Sequence, residues 1–358
     1  MLKAGTSQST SIPKVSRTLT VVSGSERVVL ALGSKLLSVM SFISSAGLDA
    51  EPATRKRDER RHFLLPPDAH IVVTMPPRSN TPNPAEFLRQ QLVGRVRAVF
   101  NDVDSGQQPV PPSDNALFEK NSPIRMVHAD VVGMMVGGIR GLLLQMLHPH
   151  ALQGVLDHSN FRSDMHGRLR RTARFIAVTT FGHRDEAMKQ IERVNRIHAK
   201  VTGTLPDGTA YTATDPRTLA WVHVVEAQSF LAAYLRHVQP DMPGHEQDEY
   251  YRQFAVIARA LGADPVPLDR NEAEAIFREL RQDLRASPEA REIADLVLTQ
   301  RPEGAPAAVQ AVMGSEAVAL LPAFARSMLG LERPGLAALP ARAATWGMGK
   351  TLRWAFRQ

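Results

Sequence analysis

Residues 185–203 read DEAMKQIERVNRIHAKVTG. In that run Ile191, Val194, His198 and Val201 follow one another at steps of three, four and three. Those steps keep to one face of a helix with 3.6 residues per turn, so four positions form a single apolar stripe with one imidazole on it. Gly203 closes the run, and the spacing predicts a helix over 185–202. Working outward, the same period returns on both sides. Helices are predicted over about 168–181 (stopped by Gly182), 216–238 (opened by Asp215-Pro216), 245–261, 270–285, 288–299 and 306–329. Upstream, Asn83-Pro84 with Glu86 supplies a cap, a first-turn proline and a capping box for a helix to about Phe100. A long apolar helix is expected over 125–147, with Gly133, Gly137, Gly138 and Gly141 along it. So many glycines on nearby faces point to close approach of another backbone or of a flat ligand. The exception to helix is Thr204–Thr212, where Pro206-Asp207-Gly208 between Thr-rich arms reads as a small β hairpin. The fold class is all-α.

Composition narrows the chemistry. The 358 residues contain no cysteine. Disulfides, thiolate metal sites, iron–sulfur clusters and a cysteine nucleophile are therefore excluded. The net charge of +7 is carried by the ends. Residues 1–62 hold ten Lys/Arg against five Asp/Glu, and residues 336–358 hold Arg342, Lys350, Arg353 and Arg357 with no acid, which leaves the body at −2. Basic ends around a near-neutral body argue against a nucleic-acid-binding domain. They fit solvated tails or loose attraction to an anionic membrane surface. Three regions follow: a basic, Pro-rich extension over 1–80, with a charged linker at 51–62; a helical domain over 81–335; and a basic amphipathic end over 336–358. The apolar run Val28–Ile43 is short for a membrane span and is broken by Gly33 and Lys35. A cytoplasmic location is expected, with peripheral membrane attachment or export as the alternatives.

Histidine carries the chemical interest, with twelve in the chain. Neither a His-Glu-x-x-His zinc motif nor paired Glu-x-x-His helices occur, so a bare metal ion has little support. A haem needs less, because the porphyrin supplies four nitrogens and the protein one axial ligand. His198, on its apolar stripe, is the candidate ligand, and the competing reading is a core histidine bonded to a neighbouring carbonyl. Arg162, Arg168, Arg170, Arg171 and Arg174 crowd thirteen residues against Asp164 alone. Arg168 and Thr172 share a helix face. The guanidinium suits a carboxylate such as a haem propionate and the hydroxyl suits a bound oxygen or water; the alternative is a solvated, salt-bridged helix start. His223, with Glu226 farther along its helix, either bonds a ligand or packs the core. Asp157-His158-Ser159 has the residue types of a hydrolase triad, but adjacent residues do not form that geometry.

The stretch Gly138-Ile139-Arg140-Gly141-Leu142-Leu143-Leu144-Gln145-Met146-Leu147-His148-Pro149 resembles the glycine–arginine–LLLQ–x–x–HP signature of the MpaB-type oxygenases, which include the latex-clearing rubber oxygenases. The resemblance continues through Gly154-Val155, His158-Ser159, Gly167-Arg168-Leu169 with Thr172, Phe181-Gly182, His198, Gly203, Tyr211, Asp215-Pro216 and Trp221-Val222-His223, over about residues 120–270. It implies a globin-like helical bundle around a buried pocket for haem b. His198 looks like the family's proximal iron ligand, and Arg168 and Thr172 like its pair beside the haem. Two departures stand out. Rubber-cleaving members place a lysine just before that threonine, and here the residue is Arg171, which cannot ligate iron. They also use a glutamate base from the preceding segment, and residues 141–156 contain no acid here. The resemblance thus implies a haem-dependent oxygenase using dioxygen on an apolar, isoprenoid or lipid-like small molecule, with polyisoprene itself less favoured. The alternative is a non-catalytic haem- or lipid-binding protein of the same fold.

Overall fold

The computed structural model describes residues 84–100, 106–301, 307–332 and 338–356. The N-terminal extension, its charged linker, the run Val28–Ile43 and the Asn83 cap lie outside them. Among the described residues there are thirteen α-helices: α1 Pro84–Phe100, α2 Pro123–Ala129, α3 Val131–Gln145, α4 Pro149–His158, α5 Met165–Phe181, α6 Arg184–His198, α7 Pro216–His237, α8 Gly244–Ala260, α9 Arg270–Leu280, α10 Pro288–Thr299, α11 Ala307–Leu320, α12 Ala323–Leu329 and α13 Ala338–Phe356. A single antiparallel pair interrupts them, β1 Thr202–Thr204 with β2 Ala210–Thr212, in the register Thr202↔Thr212, Gly203↔Tyr211 and Thr204↔Ala210. The chain is all-α, as its periodicity predicts.

The core is organised on α3 and α7, the most extensively packed pair of helices. A Cβ on Gly137 would stand 2.8 Å from the carbonyl oxygen of Ser229 and 2.9 Å from Cα of Phe230. Glycine here lets two backbones meet, which is the first of the two purposes expected of it. Arg140 is buried across the same seam, donating to the Ser229 hydroxyl at 2.6 Å and to the carbonyl of Leu320 at 3.0 Å. Burial brings its pKa down to about 10. Trp221 Nε1 donates to the Leu144 carbonyl at 3.2 Å, and Trp221 stacks on Phe277. The signature Gly138–Pro149 is therefore largely an instruction for packing α3 against α7 and α11.

Four expected boundaries move. The apolar segment 125–147 is two helices, α2 and α3, meeting at a 90° bend. Asp130 makes the break: its carboxylate accepts from Gly133 N at 2.7 Å and caps α3, and an N-cap residue cannot keep helical dihedrals. The segment 306–329 is likewise split, into α11 and α12, at Pro322. The predicted 270–285 helix closes at Leu280 and passes into a short 3-10 turn, Arg281–Asp283. The helix carrying His198 ends at that residue and not at Thr202, because Thr202 enters the β ladder. A Cβ on Gly203 would stand 2.6 Å from the Tyr211 hydroxyl, so the strand pair closes only over glycine. Most of the 336–358 stretch is α13, packed on α11, α1 and α3. No single helix among the described residues is long and apolar enough to cross a membrane.

Candidate functional site

Three helices bring the candidate residues together. Asp164 caps α5 by accepting from Gly167 N at 2.9 Å, which fixes the start of the helix that carries Arg168 one turn on. His183 caps α6 through its Nδ1, which accepts from Asp185 N at 3.2 Å, and the helix then runs to His198 at its last turn. Asp215 caps α7, accepting from Thr218 N at 2.7 Å, and sets His223 two turns in. α5 and α6 pack on each other, and α6 is tied to the end of α8 by Asn195 Nδ2 donating to the Ala260 carbonyl at 2.9 Å.

The electrostatics show what this placement does. Burial, and then the neighbouring Arg168, hold the His198 imidazole below its ordinary pKa. Burial, and then His198, lower His223 to about 4. Burial also lowers Arg168, with Arg171 adding to the effect and no acid opposing it. The three groups form one cluster in which both imidazoles are pushed toward the neutral form. Nδ1 of His198 and Nδ1 of His223 are buried without a hydrogen-bond partner. An unsatisfied buried polar atom costs on the order of 1–3 kcal/mol, and native proteins rarely leave two together. His166 Nε2 and Arg170 Nε, on the same first turns of α5, are also buried and unpartnered.

Thr172 stands apart from the cluster. It is exposed, one turn beyond Arg168, and its hydroxyl donates back to the Arg168 carbonyl at 3.2 Å. Arg171 is exposed and turns away to Asp164 at 3.3 Å. Glu226, three residues beyond His223 on α7, has no role in the sequence expectations. The structure makes it a half-buried carboxyl whose pKa is raised by desolvation to about 7. Its signal was present as the one acid in the apolar run from Leu219 to Leu235, one helical turn beyond His223.

No group of three or more His, Asp or Glu among the described residues could hold a bare metal ion. A cofactor that brings its own ring nitrogens and its own carboxylates needs only an imidazole and a guanidinium, which this cluster offers. Two surface depressions, about 280 Å³ beside Arg89 and Phe356 and about 210 Å³ beside Leu156 and Ser163, are lined by none of the cluster's three residues.

The cluster of two imidazoles and a guanidinium, buried at His223 and half-buried at His198 and Arg168, thus sits within an all-helical domain. A family model described as the catalytic domain of the ER-bound oxygenase mpaB/B′ and rubber oxygenase matches residues 125–354, a span that includes every helix of the cluster. The chain belongs to this family, and its domain is an oxygenase-type, oxidoreductase domain. No curated protein and no solved structure matches the chain.

Proposed function

We propose that the protein is a haem b-dependent oxygenase that uses dioxygen on an apolar small molecule of isoprenoid or lipid-like character. The observation that carries this reading is the pair of buried, unpartnered imidazole nitrogens, His198 Nδ1 and His223 Nδ1, beside the unpaired guanidinium of Arg168. His198 would hold the iron and Arg168 would pair with a propionate, whereas Thr172, exposed in mid-helix with its hydroxyl on the Arg168 carbonyl, would reach a bound group only by releasing that bond. Bound haem supplies the redox chemistry of such an oxygenase. The protein's own groups do the rest. His223 stays neutral and offers one donor or acceptor to whatever lies against it. Glu226, with a pKa near working pH, can take or give a proton at its carboxyl. The apolar faces of α3 and α7 exclude water. Arg171 in place of a lysine, and the lack of an acid over 141–156, favour a substrate other than polyisoprene.

The test is an absorption spectrum of the full-length protein titrated with haemin, before and after dithionite. A Soret band should form, and His198→Ala should lose it. Arg168→Leu should weaken uptake by about tenfold, the worth of one charge-assisted pair. A Soret band unchanged in His198→Ala removes the ligand assignment. A reduced, loaded protein that consumes no dioxygen with any apolar alkene supports the non-catalytic binder instead.

A further inference from the structure

The helix α13 presents an unusual face to solvent. Thr345 and Ala355 are buried against the body, and the exposed face carries Leu339, Arg342, Trp346, Lys350 and Trp354. Leu339, Trp346 and Trp354 are 61%, 52% and 42% exposed. Successive steps of three or four residues keep all five on one stripe along the helix. Trp221, the third tryptophan of the chain, is fully buried, so the fold does hide indoles where it has the means. The Lys350 ammonium sits 3.7 Å from the Trp346 ring centre, and Lys350 is midway in sequence between the two exposed tryptophans. No acid occurs anywhere in residues 333–358. Arg89 Nε donates to the Ala355 carbonyl at 2.8 Å and draws the first turns of α1, with exposed Phe87 and Leu88, to the same end.

We propose that this face docks the protein on an anionic phospholipid surface, with α13 lying in the plane of the headgroups. Indoles prefer the boundary between headgroup and acyl chain, where the ring is apolar and its N–H wet. Lysine and arginine beside them extend to lipid phosphates while their stems lie on apolar surface. Charge decides between a lipid surface and a protein partner. The centres of protein interfaces are depleted in lysine, and here a lysine lies between the two aromatic anchors. A single exposed helix face free of acid complements a flat negative sheet. This inference stands on the exposed face of α13 alone and is independent of the haem reading.

The experiment uses the full chain with two kinds of vesicle, phosphatidylcholine alone and equal parts phosphatidylcholine and phosphatidylglycerol. Co-sedimentation should occur with the anionic vesicles and weaken as salt is raised. Tryptophan emission should shift to the blue, and acyl-chain bromines should quench it, in the unmodified protein and equally in Trp221→Phe. Arg342→Gln with Lys350→Gln should lower partitioning by about fivefold per residue. Trp346→Ala with Trp354→Ala should abolish it while far-ultraviolet circular dichroism is unchanged. The proposal is overturned if the full chain ignores anionic vesicles, or if binding and quenching persist in the double tryptophan variant. Concentration-dependent dimerisation that this variant abolishes, without vesicle binding, would assign the face to a second copy.

Discussion

His223 on α7 stands close enough to His198, at the end of α6, that a proton on the second opposes a proton on the first. Both carry a buried Nδ1 with nothing to bond. A fold that only needed packing would place leucine at 223. We therefore expect His223→Leu to leave the cofactor-free protein equally stable or to stabilise it by about 1 kcal/mol, because an unpaired polar atom is replaced by a well-fitting apolar one. The same change should weaken haemin uptake. Denaturant titration and haemin titration of one preparation check both signs. A loss of several kcal/mol in stability would mean that the imidazole has a structural partner.

Glu226 gives a pH dependence with a definite sign. Its folded pKa of about 7 lies above the ordinary glutamate value of 4.5. The folded state therefore holds the proton more tightly, and this contribution is fully present below about pH 4.5 and lost as pH rises through 7. Glu226→Gln has no charge to bury, so the variant should match the parent near pH 4.5 and exceed it by about 3 kcal/mol at pH 8. Urea midpoints at the two pH values measure it. Buried His128 acts at the other end, its pKa brought down to about 3 from 6.5. Stability from that neutral imidazole is present above pH 6.5 and lost as pH falls through 3. Its ring should show no titration in NMR spectra above about pH 4.

Two adjacent glycines on α3 should respond oppositely to the same change. A Cβ at Gly137 meets backbone on α7 at 2.8–2.9 Å, and backbone there has no room to give. A Cβ at Gly138 meets only Phe230 Cε1, at 3.9 Å, an ordinary contact. Gly137→Ala should destabilise by about 1–3 kcal/mol through overpacking. Gly138→Ala should stabilise by about 0.5–1 kcal/mol, because alanine loses less entropy in a helix. Guanidinium unfolding curves of the pair decide it, and equal effects would contradict the packing of α3 on α7.

The period of the apolar positions was enough to read the helices, because burial of one face fixes that period whatever lies opposite. Boundaries were less legible. Asp130 reads as one acid in an apolar run until its carboxylate is seen capping Gly133 N. Gly203 reads as a helix stop, yet its purpose is to admit the ring of Tyr211 across a β ladder. His198, Arg168 and His223 could be picked as candidates by residue type and position, and the fold sets them within electrostatic reach of one another. Thr172 shares a face with Arg168 by spacing, but spacing carries no information on which end of the face meets solvent. Glu226 was visible as a residue and invisible as a titrating group, because its pKa is set by neighbours distant in sequence.

Asp130 also ends in an ion pair that spans the chain. Arg353 on α13 donates to its second carboxylate oxygen at 2.8 Å, and the Asp130 side chain is 5% exposed. One carboxylate thus starts α3 with one oxygen and anchors α13 with the other. Asp130→Asn keeps an acceptor for Gly133 N and removes the charge that Arg353 needs. Asp130→Ala removes both. Loss of the cap alone costs about 1 kcal/mol, and breaking a largely buried pair costs more because the other charge is left without compensation. Arg353→Ala leaves a carboxylate that is still bonded to Gly133 N, so it should be milder than Asp130→Ala. The expected order of stability is parent, then Arg353→Ala and Asp130→Asn, then Asp130→Ala, read from urea unfolding at pH 7. Hydrogen exchange separates the two roles: Arg353→Ala should raise exchange in α13 and leave the first turn of α3 protected, whereas Asp130→Ala should open both.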